Sequence, residues 1–517
     1  MTGFRAAVFA ALCILAPPLA AQDITLQSRD GGIEITGDLL GFDGDFYRMR
    51  TRFGELTVDA SGVLCDGVGC PSLTDFVAEL RLSGSSAIGE VLMPALVEAF
   101  ALRDGLTATR EPQGAGRFTY VLREPAENRI VGRFAFHLTS TDDGFAALLA
   151  DEADIVMALR EIRPGERAAA RALGLGDLTA PNRSRILALD AMIPVVAPGN
   201  AVDALSLSDL AAVLSGTLTN WRDLGGPDSP VVLHLRDQQD GLTQGIEDRL
   251  LRPSQLSLGG EIRRHADSAA LARRVAEDPF GIGLVSYSEI GPARPLYLSG
   301  SCGFHLRGQR AAIKTEDYPL TAPMFLYLPA RRLPALAREF LGFTRSSSAQ
   351  IVIRRAGFVD QSPEELALAQ QGDRLANAVT VADGPEGLAG LKRLVEVLSP
   401  MRRLTTSFRF EPGSARLDAQ SRSNVQQLAR SIELGEYDGR RLVFAGFSDG
   451  QGPASANLDI ASKRAAAVRA AVEAAAEAAD LSRIDIATEA FGETMPMACD
   501  DTVWGRQVNR RVEVWVR

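Results

Sequence analysis

Near the C-terminus, the stretch "LVFAGFSDGQGPASANLDIASKRAAAVRAAVEAA" ends an apolar run in a glycine-rich turn with one acid, Asp449. It then opens a helix whose early turns carry Arg464. The two residue types do complementary chemistry. A carboxylate pairs with an ammonium, and a guanidinium takes a carboxylate through two parallel hydrogen bonds. One partner on a turn and one on a helix fixes their separation more firmly than two loop residues would. Asn457, ahead of the helix, is placed to cap it. Arg510 and Arg511 in "NRRV" are candidate second cations.

Catalytic chemistry has less support. The four histidines, His137, His234, His265 and His305, are scattered without metal-ligand spacing. No nucleophile–base pair stands out. A non-enzymatic protein with no metal or cofactor is expected. The formal charge is −10 and no basic stripe appears, which argues against nucleic acid as a partner.

The N-terminus, "MTGFRAAVFAALCILAPPLAAQ", joins Arg5 to an apolar run from Ala6 to Ala16 and a small-residue end at Ala20-Ala21. Residues 1–21 read as a secretory signal peptide cleaved after Ala21. The run is shorter than the roughly 20 residues a membrane span needs. Export favours disulfides among the four cysteines that remain. Cys65 and Cys70 in "CDGVGC" are expected to pair, closing a short loop worth about 2 kcal/mol. For Cys302 and Cys499 two readings stand: a disulfide, which needs two domains to touch, or two buried free thiols.

The spacing predicts a multidomain α/β chain. Residues 22–80 alternate apolar and polar between glycine–aspartate turns, as a small antiparallel β module does. Residues 81–360 alternate strand-like runs ("DIVMAL", "MIPVVA", "GIGLVSY") with amphipathic helices, which predicts a mostly parallel sheet in two lobes. Residues 361–401 read as a helical linker. Residues 402–517 form a compact α/β unit. Its Ala-rich helix has an expected buried face of Leu458, Ala461, Ala465, Val468 and Val472.

The last unit resembles the OmpA-like peptidoglycan-binding domain. The resemblance lies in "FEPGSARLDAQ", "GFSDGQG", "NLDIASKRA", "GETMP" and "NRRVEV". It implies binding of diaminopimelate in the stem peptides of peptidoglycan. Asp449 would take the ammonium of that residue and Arg464 its carboxylate, with Asn457 lining the site and Ser448 beside it. Phe447 stands where the family has histidine, Ser448 where it has threonine, and Ile460 where leucine is common.

Residues 81–360 resemble the phosphate-type periplasmic substrate-binding proteins. The resemblance lies in "LSGSSAIGEVLMPALVEAF", "LALDAMIPVVAPGNAVDALSLSDLAAVLSGTLTNWRDLGG", "DPFGIGLVSYSEIG" and "LAREFLGFTRSSSAQIVIRRAGFV". It implies two α/β lobes closing over a cleft. There, helix N-termini offer free N–H groups and a favourable dipole to an oxyanion. Ser85 and Ser86 begin the first helix. Arg236 opens "RDQQDGLTQ", the counterpart of the family's Arg-x-x-x-Ser-Gly-Thr loop. Gly241 matches, Asp240 replaces serine, Leu242 replaces threonine, and Thr243 follows. Asp154 in "ADIVMALR" falls near the acid that accepts a proton from bound phosphate, and Arg160 is a further cation.

These resemblances imply a periplasmic protein that binds phosphate or a related oxyanion and is anchored non-covalently to peptidoglycan, near the outer membrane. An ABC permease is a candidate partner. The alternative is a wall-anchored structural or assembly factor with a degenerate binding scaffold. An enzyme such as a phosphatase has no motif behind it.

Overall fold

The computed structural model describes residues 23–72, 75–180, 182–238, 240–382, 384–411 and 413–517. The expected signal peptide lies outside them. The chain divides into two units. One holds the described residues up to Ala78 together with Arg332–Arg338, the other those of Glu79–Arg331 with Glu339–Arg517.

In the first unit, alternation produces an antiparallel sheet in the order Gly54–Asp59, Phe46–Thr51, Glu34–Phe42, Asp23–Ser28, Val63–Asp66. Ile24, Leu26, Tyr47 and Met49 fill its buried face, and the Cys65–Cys70 disulfide closes its last loop. Sequence reading missed one member of this unit. Arg332 comes from far along the chain, pairs with Asp43 at 2.7 Å and stacks on Phe46.

In the second unit, a sheet runs in the order Ile262–His265, Val232–Arg236, Gly281–Ser286, Ser184–Val196, Thr321–Tyr327, Ile155–Ala158, Ala78–Ser85, Arg129–Thr139, Arg117–Glu124, Thr107–Gly114. The strand Ser184–Val196 spans both lobes. Its first half pairs with Thr321–Tyr327 and its second half with Gly281–Ser286. The expected parallel pairing holds for Ile155–Ala158 beside Ala78–Ser85, and for Val232–Arg236 between its two neighbours. Otherwise the sheet is mixed. The strands from Thr107 to Thr139 are joined by turns too short for a crossover, so they pair antiparallel. At Gly84 (φ 128°) a Cβ would overlap the Met157 carbonyl, so only glycine lets these strands approach.

The C-terminal sheet runs Glu365–Ala367, Arg402–Arg409, Arg511–Val516, Arg441–Phe447, Asp485–Gly492. The helices Ala419–Glu433 and Ala454–Ala475 cover one face with Leu428, Ile432, Val468 and Val472. Ala461 and Ala465 are buried as expected. Leu458 is not: it is 46% exposed, because the first turn of its helix buries Asn457 instead. The segment 361–401 is no spacer. Its first residues add the edge strand, and Leu391, Leu394 and Leu398 seal the other sheet face against Val443 and Trp515.

This domain and the two-lobed domain are joined by buried charge. Arg403, 1% exposed, holds both oxygens of Asp317 at 2.6 and 3.1 Å. Glu513, fully buried, accepts from Arg374 and from Arg511 at 2.7 Å, and from the Trp515 indole at 3.1 Å. Burial pushes the Asp317 and Glu513 carboxyls up, but Arg403 and Arg374 outweigh it and hold both below the usual carboxylate range. The Cys302–Cys499 disulfide adds a covalent link, so the two domains do touch. No helix among the described residues is long and apolar enough to cross a membrane.

Because their folded pKa values are depressed, Asp317 and Glu513 stabilise the fold above pH ~4, and that stability drains as pH falls further. Melting temperature should therefore drop steeply on acidification below that point. Arg403→Ala strands Asp317 and should cost about 3–5 kcal/mol in urea denaturation. Lys463→Ala, which removes an exposed pair with Asp459, should cost under about 1 kcal/mol.

Candidate functional site

The strand Arg441–Phe447 packs so closely on its covering helix that a Cβ on Gly446 would overlap the Ala461 carbonyl. The chain leaves this strand into the turn that carries Ser448 and Asp449. Ser448 N–H bonds the Gly492 carbonyl at 2.8 Å, and its buried hydroxyl has no partner. Asp449 accepts from Gln451 N–H at 3.1 Å through one oxygen and from Arg510 at 3.1 Å through the other. Half-buried Arg464 lies 5.1 Å from the Phe410 ring. Among the described residues it makes no ion pair or hydrogen bond. Burial, and then Arg510, lower its pKa, while Asp449 opposes them. Asp449, Arg464 and Arg510 therefore share one electrostatic neighbourhood.

Asn457 does not cap the helix. The cap is Pro453, and Asn457 lies inside the first turn, where its amide donates to Glu493. Asp500 accepts from Gly450 N–H at 2.7 Å and from Asn509 at 2.9 Å. Sequence reading singled out neither Glu493 nor Asp500, although Glu493 stands in "GETMP". Arg511 is not at this site. Arg510 closes the helix Val503–Asn509, whereas Arg511 opens the buried strand Arg511–Val516. There it is fully buried, bonds Glu513 and the Met495 carbonyl, and stacks 4.1 Å from Phe447. Burial pushes its pKa down to about 9. Phe447, standing where the family has histidine, is thus a core residue.

In the two-lobed domain, three helix starts converge. The strand Ala78–Ser85 runs straight into helix at Ser86. The fully buried Ser85 hydroxyl has no partner among the described residues, and a Cβ on Gly241 would sit 3.0 Å from it. Thr141, at the start of the helix Thr141–Leu149, accepts from Leu159 N–H at 3.1 Å. The helix Gly241–Ile246 begins at Asp240, whose carboxylate caps Leu242 N–H at 2.9 Å and pairs with Arg236 at 2.9 Å. Thr243 donates to the Arg236 carbonyl at 3.3 Å. Arg236, Asp240, Gly241 and Thr243 therefore meet as expected, but the guanidinium meant for an anion is occupied by Asp240. Glu90 adds negative charge near both.

Asp154 is at the wrong end. It sits beside Arg81, which it holds through backbone N–H at 2.8 Å and guanidinium at 3.0 Å, and it also pairs with Arg331. Ser85 lies four residues further along that strand, about 13 Å away at strand rise. Arg160 is caged, 6% exposed, by Glu166 at 2.6 Å and Asp142, with the Phe145 ring at 5.1 Å. Two of the scattered histidines meet: His234 bonds His265 at 3.0 Å and Asp278 at 3.2 Å. Among the described residues no group of three His, Cys, Asp or Glu could hold a metal.

Residues 77–348 match the family described as PBP superfamily domain, and residues 409–510 match the OmpA family. The phosphate-binding protein PstS of Borreliella burgdorferi is 21% identical over 187 residues, 34% of this chain and 65% of its own length. That of Bacillus subtilis is 24% identical over 164 residues, 32% of this chain and 52% of its own. The chain thus spans between half and two thirds of these curated relatives. Among solved structures, an ABC-type phosphate transport receptor from Vibrio cholerae aligns with a TM-score of 0.42 at 18% identity, covering 54% of this chain and 99% of the receptor. The chain belongs to the PBP superfamily through residues 77–348 and carries an OmpA family domain over residues 409–510.

Proposed function

We propose that this is a periplasmic binding protein without catalytic activity, held to peptidoglycan by its C-terminal domain. The unpaired guanidinium of Arg464 beside Asp449 carries the reading. A diaminopimelate side chain ends in an ammonium and a carboxylate. The ammonium fits the acidic turn of Asp449, Glu493 and Asp500, and the carboxylate fits Arg464, with Arg510 as second cation.

For the two-lobed domain, phosphate or a related oxyanion is the favoured ligand. Converging helix starts and the free Ser85 hydroxyl support it, and so do the names of the two curated relatives. The Arg236–Asp240 pair favours a second reading, in which the cleft has lost its anion and the protein is a wall-anchored structural or assembly factor. An ABC permease fits only the first reading.

Full-length protein should sediment with insoluble peptidoglycan. Asp449→Ala and Arg464→Ala should each weaken this by about 1–3 kcal/mol, because each leaves a ligand charge unanswered. Walls with lysine in place of diaminopimelate should bind poorly, since the carboxylate for Arg464 is gone. Retention of both variants equal to that of the natural sequence would sink the Asp449–Arg464 site, and equal binding to both wall types would sink its selectivity for diaminopimelate.

Calorimetry with phosphate at pH 8 should find weak binding to the natural sequence. Asp240→Ser keeps a capping oxygen, frees Arg236, and should strengthen binding by about 1–3 kcal/mol. No phosphate binding by either form would select the scaffold reading. Tight binding that the substitution leaves unchanged would place the ligand away from Asp240.

A further inference from the structure

A cavity of about 760 Å³ lies where the ends of the two lobes meet the C-terminal domain. Of the residues expected around an anion, only Arg160 lines it, so it is distinct from the Ser85 cleft. Glu161, Glu316 and Asp418 face it, and none of them is in an ion pair among the described residues. Asp418 spends one oxygen on Ser421 N–H at 2.8 Å, and Glu316 has a long contact of 3.4 Å with the Asn424 amide. Arg160, Arg163 and Arg252, also on the lining, are committed to Asp142, Glu166 and Asp248. Of the remaining lining guanidiniums, Arg249 faces Glu161, Glu316 and Asp418 and donates to the Thr321 carbonyl, and Arg409 donates to the Val508 and Glu316 carbonyls and pairs with Asp317.

A neutral group independently points the same way. Gln420, 4% exposed, lines the cavity with its carbonyl oxygen unpartnered. The network fixes this orientation. Asn424 donates to the Ser407 carbonyl at 2.8 Å, so its oxygen takes the Gln420 N–H at 3.1 Å. That leaves a buried acceptor waiting for a donor. Glu316 also stands at φ 58°, just past the helix Arg310–Lys314, where glycine or asparagine is the usual occupant. Burial, with Asp418 adding, pushes the Glu316 carboxyl up to about 8 and raises Glu161 as well. Arg409 opposes the rise at Glu316, and Arg422 and Arg249 oppose it at Glu161.

We propose that this cavity binds an organic cation with N–H donors. It would be a primary amine whose ammonium sits among Glu161, Glu316, Asp418 and the Gln420 oxygen, with its hydrocarbon part against Tyr318 and Trp504. The ligand competes with the proton on Glu316, which is faced by Asp418, Asp317, Arg409 and Arg249. Binding therefore strengthens as pH rises through the Glu316 pKa.

The test is calorimetry of the full chain with butylamine, cadaverine and glutarate at pH 7 and pH 9, where both amines stay charged. Both amines should bind, release a proton at pH 7, and bind about tenfold tighter at pH 9. Glutarate should not bind. Glu316→Gln should abolish the proton release and most of the pH dependence. Gln420→Met, which changes no charge, should weaken amine binding while keeping the proton release. Silence of both amines at both pH values, glutarate binding as strong as cadaverine, or amine affinity untouched by either substitution would overturn the proposal. Loss of wall binding through Asp449→Ala leaves these outcomes unaltered, so the two sites fail separately.

Discussion

The two-toothed pair of Arg403 with Asp317 is the constraint on which the larger unit rests. A guanidinium and a carboxylate taken out of water cost several kcal/mol each, and only close geometry offsets that cost. The partners come from different domains, so the geometry closes at one docking angle. The short segment "KTEDY" organises the joint around it. Lys314 pairs with Asp360 and Glu364, Asp317 takes Arg403, and Glu316 and Tyr318 turn to the cavity. Arg374, Arg409 and Arg511 crowd the same pocket, so the cations there outnumber Asp317 and Glu513. That excess accounts for the depressed carboxyls, and it adds to the burial that lowers the pKa of Arg511.

The two constellations read from the sequence end in opposite states. On the C-terminal domain, Arg464 keeps an open valence: it is stacked on an aromatic ring, near an acid, and bonded to none of the described residues. In the two-lobed domain, Arg236 has its valence closed by Asp240 four residues on. A carboxylate at a helix start satisfies the same N–H groups and dipole that an incoming anion would use. One substitution in a loop can thus leave the fold untouched and fill its ligand position from within.

Much of this was legible in local pattern. The alternating N-terminal module, the strand–helix rhythm of the middle region and the buried Ala461–Ala465–Val468–Val472 stripe all follow from periodicity. What sequence could not reach depends on pairing between distant segments. Asp154 directly precedes the strand Ile155–Ala158 and Ser85 ends its neighbour, and only the register (Met157 opposite Gly84) shows that they occupy opposite ends. Arg510 and Arg511 are adjacent letters, yet Arg510 closes the helix Val503–Asn509 beside Asp449 while Arg511 opens a buried strand. Residues 361–401 look like a spacer because their apolar face is as narrow as that of any surface helix. Their role emerges only once a bare sheet face needs covering. Arg332 joins the N-terminal module through Asp43, a contact with no local signal.

The bond between Cys302 and Cys499 bypasses a long stretch of backbone. Cys499 adjoins Asp500, which grips the Asp449 turn through Gly450. Tension applied at that turn is therefore led in one residue to a covalent crosslink and on into the two-lobed domain. The hydrogen-bonded strand Arg402–Arg409 and the helices before it lie outside this load path. A molecule moored at that turn would load one charge-assisted hydrogen bond set directly beside a sulfur–sulfur bond.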